Sequence, residues 1–594
     1  MNINFRPHKT FLNRHTTKFS FSTPLLFIII LTLFLLSACK FNLKNLSGAI
    51  DVKPDGQISS INELLPQVTY LSLPSHVYKN KPFILRLNSL SAEKATLLPL
   101  QKDINLNGNT EISLDESKQL TLRLYNKAGT KDVNFIVKVF EPIATKIAED
   151  SCRELTPPNQ YVNTKLITDF GVNPNTISDQ TELIQKALDQ LKSGDRLLFP
   201  PGIYSHSKSL NLTVENVTIE GQAAELRGLN PDDQAIWIKV SNITLKNFII
   251  TQKTKGRKFA PWNGGISSYA WNSGKNILTN INIHQNILTP LITHNNDLSF
   301  EMGGGIFVYN TKNYLVSQNL VVRNYADGIH QNGHTVNGRV LNNYVIETGD
   351  DGIAIVSYLG KNWREKIADD PQFLSKYKVN NLNSNILVEN NFVDGMYWGR
   401  GMSIVGGEKI TMNNNVVQNI PSAAGIYFSQ ELSYHTAGVI NVLFTNNKIS
   451  NIQSDLPSFL PQGPEYKEKV NMYLENKQYT HHGAMEIFAQ LSLGDNEFIG
   501  AEEVLYIRDI HIANNTFKNS RFSQIRAGNY GIYQQGINLQ NNTFFSSPDK
   551  IQINDKAFDQ MPFCDQNTFT TQTSNIKNCQ NTNKYTVTGF QCFL

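Results

Sequence analysis

Asparagine returns at the head of short apolar strands with a spacing of 24 residues. Asn319-Leu320-Val321-Val322 is followed by Asn343-Tyr344-Val345-Ile346, and Asn391-Phe392-Val393 by Asn415-Val416-Val417. The same pattern opens at Asn216, Asn242, Asn280, Asn447, Asn515 and Asn542. A second series begins with a small residue and then Ile or Met, at Gly305-Ile306, Gly328-Ile329, Gly352-Ile353, Gly401-Met402, Gly425-Ile426, Ala484-Met485 and Gly531-Ile532. Self-similarity at such a period marks a solenoid, and 24 residues is one turn of a parallel β-helix. Longer intervals place insertions on one side, at Tyr358 to Leu382 and at Gln453 to Tyr479, where solenoids build binding clefts.

Side chains alternate along a strand, so Ile329, Ile353, Met402, Ile426 and Met485 face inward in the second series. Their neighbours His330, Ala354, Ser403, Tyr427 and Glu486 form an outward column, with Asp327, Asp351, Arg400, Ala424 and Gly483 in a column just before the strands. Asp327 lies eight residues after Asn319 and Asp351 eight after Asn343. Adjacent strands are ~4.8 Å apart, so Asp327, Asp350 and Asp351 fall in one patch. Like-charge repulsion there holds one acid protonated near neutral pH, as an acid/base pair requires. A groove with these acids, His330, Arg400, Trp398, Tyr427 and Glu486 in file suits an extended sugar chain. The same residues have plainer readings: Asp-Gly turns or a calcium site for the acids, an ion pair to Asp351 for Arg400, and stacking on Phe307 for His330.

The ends of the chain place it in a compartment. Residues 1–38 carry Arg6, Lys9, Arg14 and Lys18 without an acid, then an apolar run from Leu25 to Leu36, the pattern of a secretory signal. Leu36-Ser37-Ala38-Cys39 resembles the bacterial lipobox, which implies cleavage before Cys39 and a lipid on its thiol; by that likeness Lys40 after the cysteine favours the outer membrane. Without those four basic residues, 54 Lys+Arg become 50 against 50 Asp+Glu, a balance that excludes the clustered basic face of a nucleic-acid binder. Cys152, Cys564, Cys579 and Cys592 remain, an even number compatible with two disulfides. One arrangement ties Cys152 to the C-terminal cysteines across the repeat region; pairing local to the tail is the other. Residues 39–65 read as a tether and 66–145, with alternating segments such as Leu120–Leu124 and Val133–Val139, as a small β-sandwich-like domain. The β-helix is expected over 160–575 and a cysteine-containing tail over 576–594.

Asp169-Phe170-Gly171 has no nucleotide loop beside it, which removes a kinase reading. It leads to Asp179-Gln180-Thr181-Glu182, which opens a helix with Leu183, Ile184, Ala187, Leu188 and Leu191 at helical spacing, and then to Phe199-Pro200-Pro201-Gly202-Ile203-Tyr204. This series resembles the entry to the pectate-lyase superfamily of right-handed parallel β-helices, in which the helix caps the first coil. Asn324-Tyr325-Ala326-Asp327-Gly328 followed by Gly349-Asp350-Asp351-Gly352-Ile353-Ala354-Ile355 resembles glycoside hydrolase family 28, the polygalacturonases. That resemblance implies an inverting mechanism with Asp350 as general acid and Asp327 and Asp351 activating water. The chain departs from the family pattern at Gly399-Arg400-Gly401, where Gly-His-Gly is expected, and has no match to the family's Arg-Ile-Lys. The expected function is a lipid-anchored, monomeric hydrolase of an acidic or aminated cell-surface or environmental polysaccharide that needs no cofactor. A lyase or uronate epimerase, with Arg400 or His330 moving a proton and Ca2+ on the acids, and a non-catalytic glycan-binding surface protein are the alternatives.

Overall fold

The computed structural model describes residues 64–143, 161–254, 264–270, 277–295, 298–299, 302–396, 399–453, 480, 482–491, 503–528 and 533–545, with the backbone of short strands at 50–52, 58–61, 551–553, 563–565 and 568–569. The signal segment, Cys39, Cys152, Trp398, Cys579 and Cys592 lie outside the described residues, as does the side chain of Cys564. The chain divides into two units, Met1–Leu65 and Pro66–Leu594. In the first, strands Ile50–Val52 and Ile58–Ile61 pair antiparallel within the segment read as a tether.

The second unit is a right-handed parallel β-helix carrying a β-sandwich. Its strands stack into one parallel sheet of 23 and one of 11 among the described residues. One turn runs through Tyr344–Ile346, Ile353–Val356 and Ser384–Glu389, and the next begins at Phe392–Asp394, which pairs with Tyr344–Ile346. Parallel pairing holds Ile329, Ile353, Met402, Ile426 and Met485 in one unbroken row. All five are fully buried, and each such side chain contributes about 1.5–3 kcal/mol by leaving water. The glycines before this row are imposed by the stacking: a Cβ on Gly352 would stand 2.5 Å from the carbonyl oxygen of Gly401 on the next turn.

The corners explain the asparagines. Asn286, Asn319, Asn343, Asn391, Asn415, Asn447, Asn515 and Asn542 form a buried ladder, each Nδ2 and backbone N–H donating to the Oδ1 of the next. The residue before each turns the chain with positive φ, as Asn342 does at 58°, a conformation that asparagine tolerates. Asn216, Asn242 and Asn280 do not belong to this ladder, although the sequence pattern groups them with it. They occupy another corner, in register with Asn313, Asn337 and Asn385. All six have positive φ, so one residue preference serves two positions.

Helix Thr181–Asp189 closes the first coil with Ile184, Ala187 and Leu188, while Leu183 at the same helical spacing stays 39% exposed. Residues 67–140 supply eight strands of two five-stranded sheets. The sandwich is not built from this segment alone. Leu291–Thr293, an excursion from the coil, pairs antiparallel with Gln67–Pro74 and brings Leu298–Ser299 with it. Leu71, Leu73 and Val77 share a core with Ile249, Ile287, Leu320, Val322 and Ile346, all on the 23-stranded sheet. The 11-stranded sheet, which bears the acids' rungs, takes no part in that core.

Candidate active site on the eleven-stranded sheet

Asp327, Asp351 and Arg400 each precede a strand of the 11-stranded sheet, at the same point of successive turns. The rungs there are backbone hydrogen bonds: Gly305 N–H to Asp327 O at 3.0 Å, Gly328 N–H to Asp351 O at 3.0 Å, Gly352 N–H to Arg400 O at 2.9 Å, and Gly401 N–H to Ala424 O at 3.1 Å. Asp350 is carried beside Asp351 by its own N–H, which donates to Ala326 O at 3.0 Å. One carboxylate oxygen from each of Asp327, Asp350 and Asp351 lies within 4.8 Å of the others. Gly399 passes over this group so closely that a Cβ would stand 2.3 Å from the Asp350 carbonyl carbon and 2.6 Å from its Oδ1. The Gly-Arg-Gly sequence is thus fixed at its first glycine by Asp350 and at its second by the neighbouring coil, where a Gly401 Cβ would meet Gly425 O at 2.6 Å.

Asp327 and Asp351 are each engaged through both carboxylate oxygens. Asp327 Oδ1 accepts the Asp351 N–H at 2.9 Å, and its Oδ2 pairs with His330 Nδ1 at 2.7 Å. Asp351 Oδ1 accepts the Arg400 N–H at 2.9 Å and its Nη1 at 3.3 Å, while Oδ2 accepts the Ser403 hydroxyl at 2.5 Å. Both are 4% exposed. Asp350 is half-buried and so is the member of the trio that reaches solvent.

The column His330, Ala354, Ser403, Tyr427, Glu486 is in register as the alternation requires. It does not line an open groove, because all five side chains are buried. His330 meets Phe307 edge-on at 5.8 Å and Tyr309 at 6.0 Å. Tyr427 lies 4.3 Å from the Arg400 guanidinium on one side and stacks on His482 at 5.6 Å on the other; burial first, then Glu431, pushes its phenol up to about 12. Glu486, expected to bind sugar, is engaged internally by the Arg526 guanidinium at 2.8 Å and the Gly483 N–H at 3.1 Å. Burial pushes its carboxyl up and Arg526 opposes that shift.

Sequence reasoning missed Glu431. It directly follows the strand Ile426–Gln430, is 7% exposed, and accepts the second arm of Arg400 at 2.6 Å. Burial raises its carboxyl above the ordinary carboxylate range, with Asp351 and Asp350 adding to the rise and Arg400 opposing it. Tyr358 was read only as the start of an insertion, the segment that folds into helices Trp363–Asp369 and Phe373–Asn380. Its hydroxyl is pushed up by desolvation, then by the field of Asp327, Glu431, Asp350 and Asp351. One signal could have found both: Tyr358 and Glu431 each lie five residues past a row residue, Ile353 and Ile426, where a strand of the sheet ends.

No protein-family model matches the sequence, and no curated protein sequence matches it. Among solved structures, the catalytic domain of a GH87 α-1,3-glucanase bound to nigerose is similar with a TM-score of 0.48 and 14% identity, over 87% of this chain and 89% of that one. The A-module of the Azotobacter vinelandii mannuronan C-5 epimerase AlgE6 is similar with a TM-score of 0.39 and 14% identity, over 69% of this chain and 100% of that one. The Yersinia enterocolitica family 28 exopolygalacturonase follows, with a TM-score of 0.35 and 14% identity over 83% and 100%. These structures are too distant for their chemistry to be carried over to this chain.

Proposed function

We propose that the protein is a glycoside hydrolase acting on a polysaccharide, with Asp350 as proton donor and Asp327 and Asp351 as the residues that hold and activate the attacking water. The observation that supports this reading most is the division within the trio: three carboxylates meet within 4.8 Å, Asp327 and Asp351 are buried, and Asp350 is half-exposed. A proton donor has to reach the leaving oxygen, whereas water-orienting carboxylates gain from rigid support. The oxygens are closer than the roughly 5–5.5 Å of a retaining pair and the roughly 6.5–9.5 Å that leaves room for water between an inverting pair. Water therefore sits beside Asp327 and Asp351, not between two facing carboxyl groups, and the single-displacement course implied by the family 28 resemblance predicts inversion.

The spacing also favours a second reading, since oxygens within 4.8 Å can share one Ca2+ at about 2.3–2.6 Å, as a lyase or epimerase site would. Against it, both oxygens of Asp327 and of Asp351 already accept hydrogen bonds, and the Arg400 guanidinium stands 3.3 Å from Asp351. A cation would bind beside the positive charge of Arg400 and compete with these donors for the same oxygens. The proposal extends to location: a lipid on Cys39 anchoring the protein in the outer membrane, and oxidised cysteines in the mature chain.

Purified residues 40–594 incubated with a panel of acidic, aminated and neutral polysaccharides test the reading, with products followed by mass and by ultraviolet absorbance. Hydrolysis adds one water per cleavage and gives reducing ends, whose first anomer reports inversion. Products without added water that absorb in the near ultraviolet would replace the hydrolase reading with a lyase, and binding without turnover would replace it with a glycan-binding protein. For the anchor, Cys39→Ser is expected in the soluble fraction instead of washed outer membranes.

A further inference from the structure

Arg400 invites the view that it receives an anionic group of the substrate. Its surroundings argue otherwise. The guanidinium lies between two buried acids, with Nη1 3.3 Å from Asp351 and Nη2 2.6 Å from Glu431, and rests 4.3 Å from the Tyr427 ring. Its backbone N–H is tied to Asp351 as well. Asp350 adds a third negative charge to its field. Only 22% of the side chain is exposed. Among the described residues, the one Lys or Arg on the outward column is Arg526, and it is occupied by Glu486. Counting Asp327, Asp350, Asp351, Glu431 and Glu486 against Arg400 and Arg526, acids outnumber bases by five to two among these described residues.

Glu431 decides how that guanidinium is used. Arginine holds carboxylates through a planar fork whose two arms can serve two partners. With Glu431 fixed on one arm, its own N–H bonded to Thr436 Oγ1 at 2.8 Å, the other arm is directed at Asp351. Without Glu431 the fork would keep one partner and gain an arm and net charge for an anionic ligand beside Arg400.

We propose that Glu431 is a specificity-determining and positioning residue: it draws Arg400 into holding Asp351 and so makes the site select against a sugar that carries a carboxylate at that rung. This rests on the hydrolase reading for what Asp351 does, and it narrows the substrate to a neutral or aminated glycan.

The test separates the two claims. Binding is measured by calorimetry on Asp350→Asn and on Asp350→Asn/Glu431→Gln, with tetragalacturonate as the anionic probe and cellotetraose as the neutral one. Glu431→Gln is expected to tighten tetragalacturonate relative to cellotetraose by about 3–10-fold at low salt, with the gain lost near 0.5 M salt, where the Debye length is only a few ångströms. An unchanged ratio overturns the proposal. A crystal structure of Glu431→Gln supplies a reading independent of either probe: a guanidinium that leaves the Glu431 side or shifts its hold on Asp351 supports it, and one that stays in place overturns it. Glu431→Asp, which keeps the charge, should restore the wild-type probe ratio, a rescue that a purely packing role would not predict. If wild-type protein turns over no polysaccharide while Glu431→Gln still shifts the ratio, the hydrolase reading fails and the specificity claim stands.

Discussion

At one corner of the coil Asn319 gives its backbone N–H and Nδ2 to Asn343 Oδ1 at 2.9 and 3.0 Å. At another, Asp351 gives its N–H to Asp327 Oδ1 and Arg400 gives its N–H to Asp351 Oδ1, both at 2.9 Å. Both are side-chain ladders climbing the same solenoid. The amide is its own complement, donor on one atom and acceptor on the other, so the asparagine stack satisfies itself through seven rungs. A carboxylate has only acceptors, so each acid needs a donor from elsewhere: His330 for Asp327, Ser403 and the Arg400 side chain for Asp351. The first ladder can repeat without limit and carries stability. The second stops after two rungs, and the acid beside it, Asp350, is half-exposed.

Swapping the chemistry of the two stacks gives the largest expected effects. Asp350→Asn should reduce turnover by about 10²–10⁴, the usual contribution of a positioned general acid, with unchanged melting temperature because Asp350 is not one of the rungs. In the other ladder, Asn391→Ala removes the acceptor of the Asn343 N–H and Nδ2 and the donor to Asn415. Each buried group left unpaired costs about 1–3 kcal/mol, so a urea midpoint should fall by the equivalent of 2 kcal/mol or more without change in the active-site geometry. Equal stability loss in the two variants would erase the distinction between a folding ladder and a functional one.

Asp351→Asn sharpens the contrast. Crowded like charges alone predict a variant at least as stable as the wild type. The hydrogen bonds predict the opposite, since an amide would turn an NH2 toward either the Ser403 hydroxyl or the Arg400 fork. A loss of about 1–3 kcal/mol is expected, alongside loss of turnover; a melting temperature at or above wild type would show that repulsion outweighs those donors. Ser403→Ala, which removes one donor and leaves Arg400, should cost less in both respects.

How much of this was legible follows from the same periodicity. The 24-residue spacing and the period-two alternation place His330, Ala354, Ser403, Tyr427 and Glu486 in one row, and the register agrees at every step. The eight-residue offset from Asn319 and Asn343 brings Asp327 and Asp351 together. What the repeat does not carry is burial and partner choice. Glu486 reads as a groove residue until Arg526, two residues beyond Gln524 on the next turn, is seen to hold it. Glu431 lies just past the strand's end, where only its distance of five residues from Ile426 marks it. The sandwich was legible as strands, whereas its dependence on Leu291–Thr293 was not, because that pairing joins residues some 220 positions apart.

The smallest effect concerns a third way this fold buries polar groups, as neutral imidazoles with one nitrogen unbonded. His76, His206 and His284 each leave Nε2 without a hydrogen bond. Burial above all lowers them from the ordinary 6.5, His76 to about 3 and His206 and His284 to about 4, with Lys138 and Arg323 adding to the effect on His76. A histidine with a depressed folded pKa binds fewer protons folded than unfolded. Its contribution is therefore complete above about 6.5 and is lost as pH falls through about 4 and then 3. His76 sits where the sandwich meets the coil, its Nδ1 2.8 Å from Ser75 Oγ, which in turn lies 3.1 Å from Thr289 Oγ1. Melting temperatures between pH 7 and 4 should fall for the wild type and fall less steeply for His76→Gln, which cannot be protonated there. Parallel curves would mean that the junction tolerates a charged His76, and the same substitution at His206 and at His284 in the coil itself is then the next comparison to make.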